Sequence, residues 1–125
     1  MNRYSAKLLF QFRVDLGAST GKRRICEERI VLIAAISAKS ALKRARTRGR
    51  QFEHHFENDE GNVVYFEFVG VMGLLQLGAE CEEDEVWYET HERLMPMERR
   101  EKFIPADSEL NAIRAESAGK QMGRR

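Results

Sequence analysis

The chain is poor in the residues that build disulfide scaffolds, rigid linkers and membrane spans. Two cysteines in 125 residues, Cys26 and Cys81, cannot form a disulfide framework, so reduced thiols are expected, as in the cytoplasm. The two prolines, Pro96 and Pro105, both fall in the last third, leaving the first ninety-five positions without a proline break. The longest uninterrupted apolar run, Ile30 to Ile36, is too short to cross a bilayer. Met1-Asn2-Arg3 leads into an amphipathic stretch bearing Lys7 and not into the apolar core of a signal peptide. A cytoplasmic protein with no membrane contact is expected. Apolar residues at 42% exclude global disorder, and 33% charged residues fit a globular domain in water.

Lysine and arginine are missing altogether from residues 51 to 92, which carry twelve Asp or Glu. Residues 1 to 50 carry thirteen Lys or Arg against three acids, and residues 93 to 125 carry eight against five, so a net charge of +1 hides a basic half and an acidic half. Opposite charges so divided can meet within the chain or between two copies of it, and self-complementarity is the economical reading.

Alternation predicts a first strand from Tyr4 to Val14, with Tyr4, Ala6, Leu8, Phe10, Phe12 and Val14 on one face and Ser5, Lys7, Gln11 and Arg13 on the other. Residues 16 to 22 read as a turn, and Arg24 to Ile36 as a second strand, apolar on both faces toward its end. Ser37 suits the N-cap of a helix starting at Ala38. The stripe Ala38, Ala41, Leu42, Ala45, Gly49, Phe52, Phe56 extends that helix to about Glu57. Gly49 lies inside the stripe and reads as a point of close approach, at a cost of about 1 kcal/mol against Ala, with a helix C-cap as the rival reading. After the turn Asn58 to Asn62 comes a third strand, Val63 to Met72, with Val64, Phe66, Phe68 and Met72 sharing a face. A short fourth strand is placed at Val86 to Thr90.

The expected fold is therefore α+β: a four-stranded mixed sheet in the order strand-strand-helix-strand-strand, with one long helix on one face. A right-handed crossover would set strands two and three side by side in parallel, with strands one and four at the edges. Residues 1–92 form this domain, and residues 93–125 form an arm broken by the two prolines. In that arm Asp107 or Ser108 is expected to cap a short helix from Glu109 to about Ser117, with a disordered end from Gly119 onward. One helix covers one sheet face, so the second face needs the arm or another copy of the protein over it.

The stretches Tyr4-Ser-Ala-Lys-Leu-Leu-Phe10, Cys26-Glu-Glu-Arg-Ile-Val-Leu-Ile33, Ser40-Ala-Leu-Lys-Arg-Ala45, His55-Phe-Glu-Asn58 to Gly61 and Val64-Tyr-Phe-Glu-Phe-Val-Gly-Val71 give the chain a family likeness. Over residues 4 to 92 it resembles the uncharacterised bacterial family called domain of unknown function 4288. The resemblance implies a fold unit and a bacterial origin, and it supplies no activity, cofactor or catalytic residue.

Catalytic and metal signatures are scarce. Gly17-Ala-Ser-Thr-Gly21-Lys22 imitates a phosphate loop, but its glycines are one residue too close, Arg23 replaces the needed hydroxyl, and a strand follows where a helix should. His54 and His55 are consecutive and diverge on a helix; with Cys26, Cys81 and His91 they match no metal spacing, so no metal or cofactor is expected. No Gly-x-Ser-x-Gly turn exists. Glu27 and Glu28 point to opposite faces of a strand, so one shares a side with core residues. A salt bridge at the rim outweighs a functional carboxylate in a cleft.

The strongest binding signal is basic. Arg23, Arg24, Lys39, Lys43, Arg46 and Arg50, with Arg44 and Arg48, suit a polyanion or an acidic partner. The same residues also make the wet face of an amphipathic helix. Glu82, Glu83, Asp84 and Glu85 form the matching acidic patch. The leading expectation is a non-enzymatic protein interaction module that forms a homodimer. Another bacterial protein as partner, nucleic-acid binding through the basic helix, and a small ligand-binding protein or enzyme with a pocket near Glu28 and Trp87 are the alternatives.

Overall fold

The computed structural model describes residues 1–17, 21–82 and 84–121. It divides into two compact units, Met1–Glu89 and Thr90–Arg125. The first is α+β. Its strands are β1 (Asn2–Val14), β2 (Ile25–Ala35), β3 (His54–Glu57) and β4 (Val63–Gln76), and its helix is α1 (Ala38–Gln51).

The sheet order is β2-β1-β4-β3, with every neighbouring pair antiparallel. This corrects the mixed sheet expected from the sequence. β2 and β4 do run in the same direction through a helical crossover, but β1 lies between them. The thirteen residues of β1 offer a full ladder on both edges, so β1 takes the centre and β2, expected there, is left at the rim. Residues 18–20 of the phosphate-loop imitation, read from the sequence as part of a turn, lie outside the described residues. At their flanks Gly17 and Gly21 adopt φ of 89° and 74°, a left-handed conformation that favours glycine.

Ser37 caps α1 as expected, its hydroxyl accepting from the Ser40 amide. Ala41, Ala45 and Gly49 are buried against the sheet, where Tyr4, Ala6, Leu8, Phe10, Ile33, Ala35 and Phe66 complete the core. A Cβ at Gly49 would stand 2.5 Å from two carbons of the Phe68 ring, so the close approach read from the stripe is real. The helix ends at Gln51, short of Glu57. The Asn58 side chain accepts from the amides of Glu60 and Asn62, and Gly61 takes φ of 82°. That turn folds residues 54–57 back on β4 as a hairpin, whose ladder outcompetes two more turns of helix.

Two irregularities in the β1–β4 register set an extra residue on β4, at Val69 and at Met72. The helix-side series becomes Val64, Phe66, Phe68, Val71, Leu74, so Met72 turns outward and Val71 inward, the reverse of the plain alternation. Val86 to Thr90 forms no strand. That segment instead lays Trp87 on the sheet face away from α1, where the missing side chain of Gly73 leaves room for the indole.

In the second unit, α2 (Arg100–Phe103) and a single 3₁₀ turn at Asp107–Glu109 precede α3 (Asn111–Gln121). Leu110 is extended, so α3 starts later than Glu109, and it continues beyond Ser117 through Gly119, a position expected to be disordered. Residues 122–125 lie outside the described residues. No helix among the described residues is long and apolar enough to cross a membrane.

Candidate interaction surface

The face of the sheet opposite α1 carries Ser5, Lys7, Leu9, Gln11 and Arg13 from β1, Glu28, Ile30 and Leu32 from β2, and Tyr65, Glu67, Gly73 and Leu75 from β4. One end of it is polar and closed. Arg13 holds Glu67 in a forked ion pair at 2.8 Å, while Gln11 donates to the same carboxylate. The guanidinium hydrogen bonds keep Glu67 below the usual carboxylate range, and the same bonds raise Arg13. Lys7 lies at the middle, bridging Glu28 at 3.0 Å and Glu89, with its ammonium over the Trp87 ring. Ile30 and Leu32 remain exposed beside them.

On the other side of β2, Arg29 lies over the rings of Phe10, Phe52 and Phe66 and pairs with Glu27. Glu27 and Glu28 thus do face opposite ways, and each has a cation of its own. Glu28 and Trp87, the corner where a pocket was expected, meet around the Lys7 ammonium.

The basic residues do not form one patch. α1 rests on the sheet by its small residues, which divides its cations between two flanks. Lys43, Arg44 and Arg48 line a groove of about 560 Å³ against the edge of β2. Arg46 and Arg50 face the bulged stretch of β4, near Glu53 and Val69. Lys39 is exposed in the first turn. Arg23 and Arg24 belong to the loop before β2, where Arg24 donates to Gln11 and to the Gly21 carbonyl. Glu82 and Glu85 belong to the acidic connection, tied by a hydrogen bond from the Glu82 amide, with Asp84 exposed between them; Glu83 lies outside the described residues.

Among the described residues no three His, Cys, Asp or Glu side chains converge as a metal site requires. Cys26 is exposed. Burial, helped by Glu85 and Glu80, pushes the Cys81 thiol up, away from the thiolate that a nucleophile needs. Sequence reasoning did not single out the rim position of β2, nor the grouping of Arg44 and Arg48 with Lys43 along it. The i, i+4 spacing of Arg44 and Arg48 was the available signal, since it sets both on one flank of a helix.

Fold and surface together define an α+β domain in which a single helix covers one face of an antiparallel sheet and a long strand stays open at the rim. The chain belongs to the family described as Domain of unknown function (DUF4288), whose model matches residues 3–87. The match stops just short of the end of the first compact unit, so it covers β2, β3, β4, α1 and all of β1 but Asn2. No curated protein and no solved structure matches the chain.

Proposed function

We propose that the domain is a non-enzymatic interaction module that associates with a second copy of itself through the sheet face remote from α1. The observation that carries this reading is the exposure of Ile30 and Leu32, 44% and 53%, on a face where Lys7, Arg13, Glu28 and Glu67 are tied in ion pairs and Gly73 lies under Trp87. Apolar side chains held on a rigid strand gain by covering each other, at roughly 25 cal/mol per Å² removed from water. The charge layout favours the same partner. The cations of α1 and the acids Glu80, Glu82, Asp84, Glu85 and Glu89 lie on one unit, so each copy offers the sign that the other needs.

The double variant Ile30→Glu/Leu32→Glu tests it. Both side chains already face water, so the circular dichroism spectrum and melting temperature should hold while light scattering falls to the mass of one chain. Unchanged scattering from the variant, or a wild-type chain that is monomeric at high micromolar concentration, refutes the reading.

A second reading rests on α1, whose fourteen residues include six cations and no acid. Bound to a polyanion through Lys39, Lys43, Arg46 and Arg50, it would retard an oligonucleotide at low salt, and Lys43→Glu/Arg46→Glu would abolish the shift. The absence of retardation by the wild type at low salt ends this alternative.

A further inference from the structure

The outer edge of β2 is a template with one chemistry on each side. Arg3 turns its carbonyl toward β4, where the Leu77 amide donates to it. The Arg3–Ala34 pair is therefore not hydrogen-bonded across β1 and β2, and the backbone groups of Ala34 face outward. Arg44 confirms the direction by donating to the Ala34 carbonyl at 2.9 Å. Because outward groups alternate along a strand, those of Leu32, Ile30, Glu28 and Cys26 face outward too. The β1–β2 register is unbroken over eleven pairs, so this edge is regular. The open part of β4 is instead disturbed at Val69 and Met72, as natural edges often are to prevent pairing.

Above the edge stands the flank of α1 with Lys43, Arg44, Thr47 and Arg48, and the open groove between helix and strand holds about 560 Å³. A strand added to β2 would continue its pleat. Alternate side chains would rise toward the three cations, and the others would drop beside Ile30 and Leu32. We propose that the groove between β2 and α1 takes an extended segment of another protein, in which acidic and apolar residues alternate, as a fifth strand of the sheet. A second copy of β2 is the poorer occupant. Pairing two β2 edges about a two-fold axis would bring two α1 flanks together, cation against cation.

The test is the fluorescence anisotropy of a labelled ten-residue peptide of alternating glutamate and valine, added to the full chain. Binding should be saturable and should weaken at least tenfold for Arg44→Glu/Arg48→Glu, two exposed substitutions checked for folding by circular dichroism. Replacing valine by serine in the peptide should weaken it as well. Backbone methylation separates strand addition from simple charge attraction. N-methyl groups on all valines block an antiparallel ladder, and on all glutamates a parallel one, so one pattern should cost at least tenfold while the other leaves binding within threefold. Equal effects of the two patterns, equal binding to the charge-reversed variant, or binding seen only when the chain is diluted from a dimer would each overturn the proposal.

Discussion

The contact between α1 and the sheet makes a sharp prediction at Gly49. Replacing glycine by alanine inside a helix normally stabilises by about 1 kcal/mol. Here the new Cβ would meet Cδ1 and Cε1 of Phe68 at 2.5 Å and Cζ at 2.7 Å, far inside van der Waals contact. The ring is held by Phe10, 5.7 Å away between centroids, so it cannot retreat freely. Overpacking of this kind costs about 1–3 kcal/mol. Gly49→Ala should therefore destabilise by about 1 kcal/mol net, a fall in melting temperature of about 4–8 °C for a unit of this size. In a Phe68→Leu background the obstacle is gone, and the same substitution should stabilise by about 1 kcal/mol. Urea denaturation of the four proteins gives a coupling of about 2 kcal/mol if the reasoning holds. A Gly49→Ala protein that is more stable than the wild type would refute it.

Two further outcomes follow from buried and paired groups. Ser5 is fully buried and its hydroxyl has no hydrogen-bond partner among the described residues, so Ser5→Ala should raise the unfolding free energy by about 1 kcal/mol, read from the urea midpoint. Glu67, held by Arg13 below its value in the unfolded chain, contributes stability that is present above the unfolded value and is lost as pH falls through the folded one. Glu67→Gln should cost about 0.5–1 kcal/mol at neutral pH, and that difference should shrink below about pH 4; a constant gap at all pH values would remove the pair from the account.

Much of this arrangement was legible because it is local. The hydroxyl of Ser37, the alanine stripe and Gly49 carry their meaning within a few residues, and the alternation of Tyr4 to Val14 faithfully marks the helix side of β1. What failed depends on partners distant in sequence. An apolar stretch on both faces, as in Ile30 to Ala35, looks the same in a central strand and in a rim strand with exposed side chains. Phe56 fits the helical stripe by spacing alone, and only pairing with Val64 assigns it to β3. The extra residues at Val69 and Met72 shift the faces of β4 without any local mark. For the same reason the cations of α1 read as one patch until the sheet beneath divided them into two flanks.

Sedimentation equilibrium of the full chain across the micromolar range, at low and at physiological salt, is the most direct test of the claim that this domain works by meeting a second copy. The account predicts a mass that climbs toward two chains with concentration, with salt weakening the association by screening the opposed charges. The mass of one chain at every concentration and salt would contradict it.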